Sequence, residues 1–149
     1  MKITSTEEYG IRILVRVGSS EKEDLTITQI AEGESLTHAN VAKICRLLRI
    51  GGFLESAKGH TGGYRLSKAP EEMPLSEIMS VLGEPLYGEE FCDKFGGGDS
   101  ICTRSVDCSL RSVWKILQSN INSVLQNITL RDLMGTETQM NVVCSTLVK

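Results

Sequence analysis

Three cysteines, Cys92, Cys102 and Cys108, share one stretch with the spacing Cys-x9-Cys-x5-Cys. Gly96, Gly97 and Gly98 interrupt the first gap and let the backbone wrap around a central object. Thiolates are soft donors, so the trio suits zinc or an iron–sulfur cluster. The C-x2-C knuckles of structural zinc sites are absent from the sequence. Three thiolates also leave a fourth coordination position open, as a sensing centre requires. The plainer alternative is three free thiols in a pliable loop, which could switch by forming disulfides without metal. Spacing alone leaves both open. Five cysteines is an odd total, so a complete internal disulfide framework is impossible. A reducing compartment fits best, and the chain is expected to be cytoplasmic. Cys45 falls on an apolar helix face and reads as a core residue, and Cys144 as a bystander.

A second chemistry is phosphate binding. Net charge is −3, which at first argues against nucleic acid. Between Leu36 and Lys68, however, six cations (Lys43, Arg46, Arg49, Lys58, Arg65 and Lys68) face one acid, Glu55. A surplus of five there leaves a deficit of eight elsewhere. A basic island in an acidic chain is a candidate electrostatic footprint for DNA, although a solvated face has the same composition.

The elements that must position these groups are mostly helical. A first helix is expected over about Thr6–Val17, with Tyr9, Ile13 and Val17 on one stripe. Thr26-x-x-Gln29 has capping-box spacing and starts a short second helix, after which Gly33 permits a turn. A third helix begins near Ser35–Thr37. Val41, Ile44, Cys45 and Leu48 face inward on it, leaving His38, Asn40, Lys43, Arg46 and Arg49 outward. Gly51-Gly52 ends it. Two short strands, Phe53–Ala57 and Tyr64–Ser67, flank a glycine-rich tip containing Lys58, Gly59 and His60.

Short helix, turn, helix with a basic face, then a basic hairpin is the order of a winged helix-turn-helix. His38, Asn40 and Lys43 are the candidates for base edges. Arg46 and Arg49 suit phosphates, and the wing suits the minor groove or phosphate.

Leu75–Leu82 reads as a connecting helix, and Gly83–Ser100 as too irregular for helix or strand. A long helix is expected from about Thr103 to Asn127. Leu110, Trp114, Leu117, Ile121, Val124 and Ile128 recur with spacings of 4, 3, 4, 3 and 4, a seam that wants a partner helix. Buried Leu or Ile side chains contribute ~1.5–3 kcal/mol each, so the seam could hold a homodimer. A stripe covered by the same chain is the alternative. One more helical turn is expected at Thr129–Met134, and no strong pattern from Gly135 on.

The expected fold class is mainly α with a small β-wing: a winged helix-turn-helix plus a long dimerisation helix. The organisation is a DNA-binding domain over 1–70, a connecting helix over 71–83, and a cluster-binding loop over 84–109. A dimerisation helix and terminal turn then cover 103–134, before a flexible tail over 135–149. The N-terminus, with Glu7 and Glu8, lacks the apolar stretch of a secretion signal. No apolar run approaches the ~20 residues needed to span a bilayer. No membrane and no small-molecule substrate are expected.

Taken together, these residues resemble the IscR/NsrR family of bacterial iron–sulfur transcription regulators. The resemblance covers about Met1–Met134. It rests on Met1-Lys2-Ile3-Thr4-Ser5 opening into Tyr9, on Ile30-Ala31 with Val41 and Leu48, and on Arg49-x2-Gly52-Phe53-Leu54. Lys58-Gly59-x2-Gly62-Gly63-Tyr64-x-Leu66, the three-cysteine loop and Asn127-Ile128-Thr129-Leu130 complete it. It implies a homodimer on double-stranded, palindromic promoter DNA. It implies a [2Fe–2S] or [4Fe–4S] cluster on Cys92, Cys102 and Cys108 that controls DNA binding in response to redox state, nitric oxide, iron or cluster supply.

Two features depart from the family pattern. The first cysteine gap is x9, longer than the usual x5 or so. Arg111 stands where one branch of the family has a ligating histidine, and a guanidinium cannot ligate. The resemblance then implies a fourth ligand from the first helix of the partner subunit, where Glu8 stands. Glu7, Asp93, Asp107, His38 or a small molecule are its rivals.

An iron–sulfur electron carrier would not need the winged-helix pattern. An enzyme is not expected: no Ser-His-Asp or Walker pattern is present, and Gly96–Gly98 lacks the Lys-Ser/Thr of a phosphate loop. The closest alternative is a metal-free thiol/disulfide switch on the same DNA-binding scaffold.

Overall fold

The structure, a computed structural model, describes residues 2–57, 62–88, 90–96, 102 and 104–147. Helix α1 spans Ser5–Gly18, with Thr4 and Glu7 forming a capping box. Its Ile13, Leu14 and Val17 are buried, and Tyr9 is half-buried. Helix α2 (Ile27–Glu34) starts with the expected Thr26–Gln29 box. The turn after it is made by Ser35, in the left-handed region at φ 54°, rather than by Gly33. Gly33 lies inside α2, where the Arg16 guanidinium packs against its backbone.

Helix α3 (His38–Ile50) is capped by Thr37 and buries Val41, Ile44, Cys45 and Leu48. Gly52, at φ 79°, reverses the chain after it, a conformation that glycine adopts without a Cβ penalty. Strands β1 (Leu54–Ser56) and β2 (Tyr64–Leu66) pair antiparallel, with Glu55 opposite Arg65. Leu25 bridges to Tyr64 on the other side of β2, so the wing is stitched to the segment preceding α2.

After a 3-10 turn at Pro70–Glu72 comes α4 (Leu75–Leu82). Leu82 lies over Gly10 of α1, and the Glu7 carboxylate touches Gly83. These two side-chain-free positions allow the end of α4 to press against the first half of α1. Short α5 (Phe91–Lys94) lies where no regular element was expected. Helix α6 then runs Ser109–Gln126 and α7 Leu130–Leu133.

Three more expectations need correction. The long helix starts at Ser109, not near Thr103, which itself lies outside the described residues. Cys108 is extended (φ −138°), and residues 104–107 turn before the helix. Ser105 and Asp107 there are residues whose side chains compete with the helical backbone. Ile128, expected on the dimer seam, is 6% exposed and belongs to this chain's own core. The helix has already ended, and the Ile128 carbonyl accepts from Leu75 N–H at 2.8 Å. Finally, the segment after Gly135, expected to lack pattern, carries α8 (Glu137–Leu147). Thr136 and Gln139 cap it with the same reciprocal bonds as Thr26 and Gln29, and Met140 and Leu147 pack on the core.

Candidate nucleic-acid interface and thiol loop

On α3, the inward residues anchor the helix and leave a polar face free. His38, Asn40, Lys43, Arg46 and Arg49 are all exposed, as the periodicity requires. Among the described residues none of Lys43, Arg46 and Arg49 pairs with a carboxylate. Their charge is therefore available to a polyanion. Arg65, from the same basic island, is committed instead: Nε lies 2.7 Å from Glu55 and Nη1 2.9 Å from Glu23. Lys68 sits over the Phe53 ring at 5.5 Å. Lys58, Gly59 and His60 lie outside the described residues.

The thiol loop begins at Gly83. Tyr87, Phe91 and Phe95 form a tilted aromatic chain with centroid separations of 5.1 and 4.9 Å. Tyr87 N–H donates to Gln118 on α6 at 3.0 Å, fastening the loop to that helix. The Tyr87 hydroxyl lies 4.0 Å from Cys92 Sγ. Burial pushes the Tyr87 phenol pKa up, and its hydrogen bond with Cys92 adds to the rise. Farther along, Ser105 N–H donates to the Cys102 carbonyl at 3.0 Å. Arg111 reaches back to the Ser105 carbonyl at 2.7 Å, a local pinning role that sequence reasoning did not foresee.

Cys92, Cys102 and Cys108 are free and half-buried. Gly97 and Gly98 of the glycine run lie outside the described residues. Among the described residues, no group of three or more His, Cys, Asp or Glu is gathered to hold a metal ion. The donor set still has the right chemistry for an iron–sulfur cluster: three accessible soft thiols on one segment. Cys45 is different in kind. It is fully buried, and desolvation pushes its thiol pKa up to about 12. Cys144 is exposed on α8, away from the trio in sequence.

The adjacent glutamates of α1 also differ. Glu7 is buried, and its carboxylate accepts from Thr4 N–H at 2.6 Å, so it is occupied as a cap. Glu8 is exposed, and its carboxylate makes no hydrogen bond or ion pair among the described residues. Asp93 and Asp107 are exposed in the loop, and His38 at the start of α3.

Helix α6 buries none of its residues. Leu110, Val113, Ile116, Leu117 and Val124 are exposed, and Trp114 and Ile121 are half-buried. Val113 and Ile116, outside the strict heptad, broaden the apolar face. No helix of the described residues is long and apolar enough to cross a membrane.

A helix-turn-helix with a hairpin wing and an unneutralised cationic second helix defines a DNA-binding transcription regulator. The family of iron-dependent transcriptional regulators named Rrf2 matches residues 3–136, and this chain belongs to it. The chain is 29% identical over 135 residues to protein rrf2 of Nitratidesulfovibrio vulgaris, covering 90% of this chain and 87% of that one. It is 27% identical over 144 residues to the HTH-type regulator NsrR of Halalkalibacterium halodurans, covering 96% and 97%. Two solved structures share the fold. One is CymR, the global cysteine regulator of B. subtilis, with TM-score 0.70, 23% identity, and 90% and 96% coverage. The other is T. potens IscR, with TM-score 0.69, 23% identity, and 90% and 86% coverage. The family is one of transcription regulators rather than enzymes.

Proposed function

We propose that this chain is a homodimeric regulator whose affinity for double-stranded promoter DNA is set by an iron–sulfur cluster on Cys92, Cys102 and Cys108. Redox state, nitric oxide or iron and cluster status is the signal. One observation carries the proposal: three free, half-buried thiols lie on a loop fastened through Tyr87 and Gln118 to a helix with an uncovered apolar face. The proposed division of labour is DNA reading by α1–α3 and the wing, and sensing by the loop after Gly83. Pairing is assigned to α6 through Leu110, Trp114, Leu117, Ile121 and Val124.

Glu8 of the second copy is the proposed fourth ligand. Its carboxylate is free while that of Glu7 is engaged, and a hard oxygen donor suits an iron–sulfur centre less well than thiolate, making the bond easy to break. Such a bond would tie the first helix of one subunit to the loop of the other. A bound cluster supplies visible absorption and a centre that oxidants or nitric oxide attack. The residues of the chain transmit its state. Leu82 on Gly10 and Glu7 on Gly83 connect the start of the loop to α1, which packs on α2 and α3. Regulation then requires a real difference in DNA affinity between the two states.

On α3, His38, Asn40 and Lys43 are assigned to base edges and Arg46 and Arg49 to phosphates, with Lys58, Gly59 and His60 of the wing assigned to the minor groove or phosphate. Lys43→Ala and Lys58→Ala should each weaken binding at physiological salt. A variant that removes a phosphate contact should also lower the salt slope by about 0.9.

The likeness to CymR, the global cysteine regulator, favours one second reading: a metal-free thiol switch on the same three cysteines. Anaerobic purification separates the two. The cluster reading expects visible absorption, stoichiometric iron and sulfide, and different DNA affinities for the loaded and stripped forms. Protein that stays colourless and iron-free after reconstitution, yet changes DNA affinity on thiol oxidation, supports the thiol switch instead.

A further inference from the structure

Arg65 belongs to the basic island, but its environment is unlike that of the other cations. Its guanidinium bridges Glu55 on the facing strand and Glu23 in the segment before α2. The same segment contributes Leu25, which exchanges backbone hydrogen bonds of 3.0 and 2.8 Å with Tyr64, the residue before Arg65. Side chain and backbone thus stitch the return strand of the wing to the body of the domain at two adjacent positions. Gly63 continues the seam, since a Cβ there would come within 2.9 Å of Asp24. Asp24 Oδ1 is buried with no hydrogen-bond partner among the described residues, adding negative potential beside Arg65. A planar guanidinium, with its donors fixed in two directions, suits this bridge better than an ammonium, whose donors rotate about one point.

The geometry points to Glu23–Arg65–Glu55 as a clamp that sets the angle of the wing, with Arg65 a positioning residue for DNA binding rather than a phosphate contact. This rests on the DNA-binding reading above and extends it to a residue that reading leaves without a role. The clamp converts an apparent cost, one acid on the wing and one beside it, into a requirement. Charge counting says that removing the acids tightens DNA binding. A clamp says the reverse.

The test uses the full-length chain and a duplex it selects from a random-sequence pool, with binding followed over a salt series. An exposed ion pair is worth little alone, so each wing should lose about threefold in affinity, and the two wings of a dimer about tenfold together. Arg65→Gln is therefore expected to bind about tenfold more weakly with the parent's salt slope. Glu23→Gln combined with Glu55→Gln should also bind more weakly, although net charge rises by two. The triple variant should be no weaker than Arg65→Gln, since all three residues act as one unit. Single Glu23→Gln, at a side chain 80% exposed, should keep the parent's melting temperature and still lose affinity. A slope lowered by about 0.9 in Arg65→Gln would mark a phosphate contact and overturn the clamp. Acid-free variants that bind as tightly as the parent, or additive losses in the triple variant, would overturn it too. A parent that selects no duplex removes the DNA-binding reading and this one with it; a parent that does, with variants matching it, overturns the clamp alone.

Discussion

The two halves of the chain are built to different degrees of completion. In the winged-helix half, α1, α2, α3 and β1 bury Ile13, Leu14, Ile30, Val41, Leu48 and Leu54 against one another, and α4 closes the core with Ile78. In the other half, α6 is the longest helix among the described residues and buries nothing. The thiols on the loop before it are half-buried and free. A helix gains most of its stability in a protein from a packed apolar face, so α6 is a surface prepared for something outside the single chain. The lesson is a difference in completion: the DNA-reading half closes its core with its own side chains, whereas the half after Gly83 adds Ile128 and Leu130 to that core but leaves the apolar face of α6 uncovered. The two are joined where Leu75 N–H donates to the Ile128 carbonyl at 2.8 Å and Leu130 N–H to the Met73 carbonyl at 2.9 Å, and Leu82 on Gly10 and Glu7 on Gly83 connect the start of the thiol loop to α1.

The sharpest way to break this contrast is to charge the α6 face. Leu117→Asp with Val124→Asp should cost the dimer about 4 kcal/mol or more, roughly three orders of magnitude in its dissociation constant. Analytical ultracentrifugation should then show monomer with its α1–α4 circular dichroism retained. An undiminished dimer would mean that α6 does not pair the subunits.

Paired truncations come next. Leu48→Ala, at a fully buried side chain, should destabilise the fold by about 2–5 kcal/mol in chemical denaturation. Leu117→Ala should leave the unfolding of isolated monomer within about 0.5 kcal/mol of the parent. Equal losses at the two sites would erase the distinction between the halves.

A third test uses the cysteines. At pH 8 without metal, alkylation should label Cys92, Cys102, Cys108 and Cys144 in the native protein and spare Cys45 until the chain unfolds. The sign of the linkage follows from the raised thiol pKa of Cys45. Folded Cys45 stays neutral up to about pH 12, while the unfolded chain ionises near the ordinary value of 9.0. Its contribution to stability is therefore complete below pH 9 and lost progressively as pH rises from 9 towards 12. Denaturant midpoints for the parent and Cys45→Ala should converge in that range as pH rises. The smallest effect is expected at Thr136→Ala, which removes the cap of α8 and should cost about 1 kcal/mol, read as lost helicity with DNA binding intact.

Much of this architecture could be read in one dimension. Thr26-x-x-Gln29 marks α2, and Thr136-x-x-Gln139 caps α8 by the same rule, but the residues after the second show too weak an apolar periodicity to announce a helix. The inward face of α3 followed from the spacing of Val41, Ile44, Cys45 and Leu48. The left-handed turn was less legible, because Ser35 rather than the glycine two residues earlier takes that conformation. The heptad spacing runs past the helix: Leu110 to Val124 lie on α6, whereas Ile128 follows its end and is buried in this chain's own core. Arg65 counted as one more positive charge, since nothing in the sequence announces that Glu23, 42 residues away, shares its guanidinium.

Periodicity, caps and the order of elements are local properties, written in residues a few positions apart, and so were available before any coordinates. The DNA-reading scaffold and the thiol trio belong to that category. Which apolar positions stay uncovered, which of two neighbouring glutamates is free, and which cations remain unneutralised depend on segments distant in the chain. Burial and charge pairing are pairwise in space, and the packing of α1 against α4 and of β2 against the segment before α2 settled them.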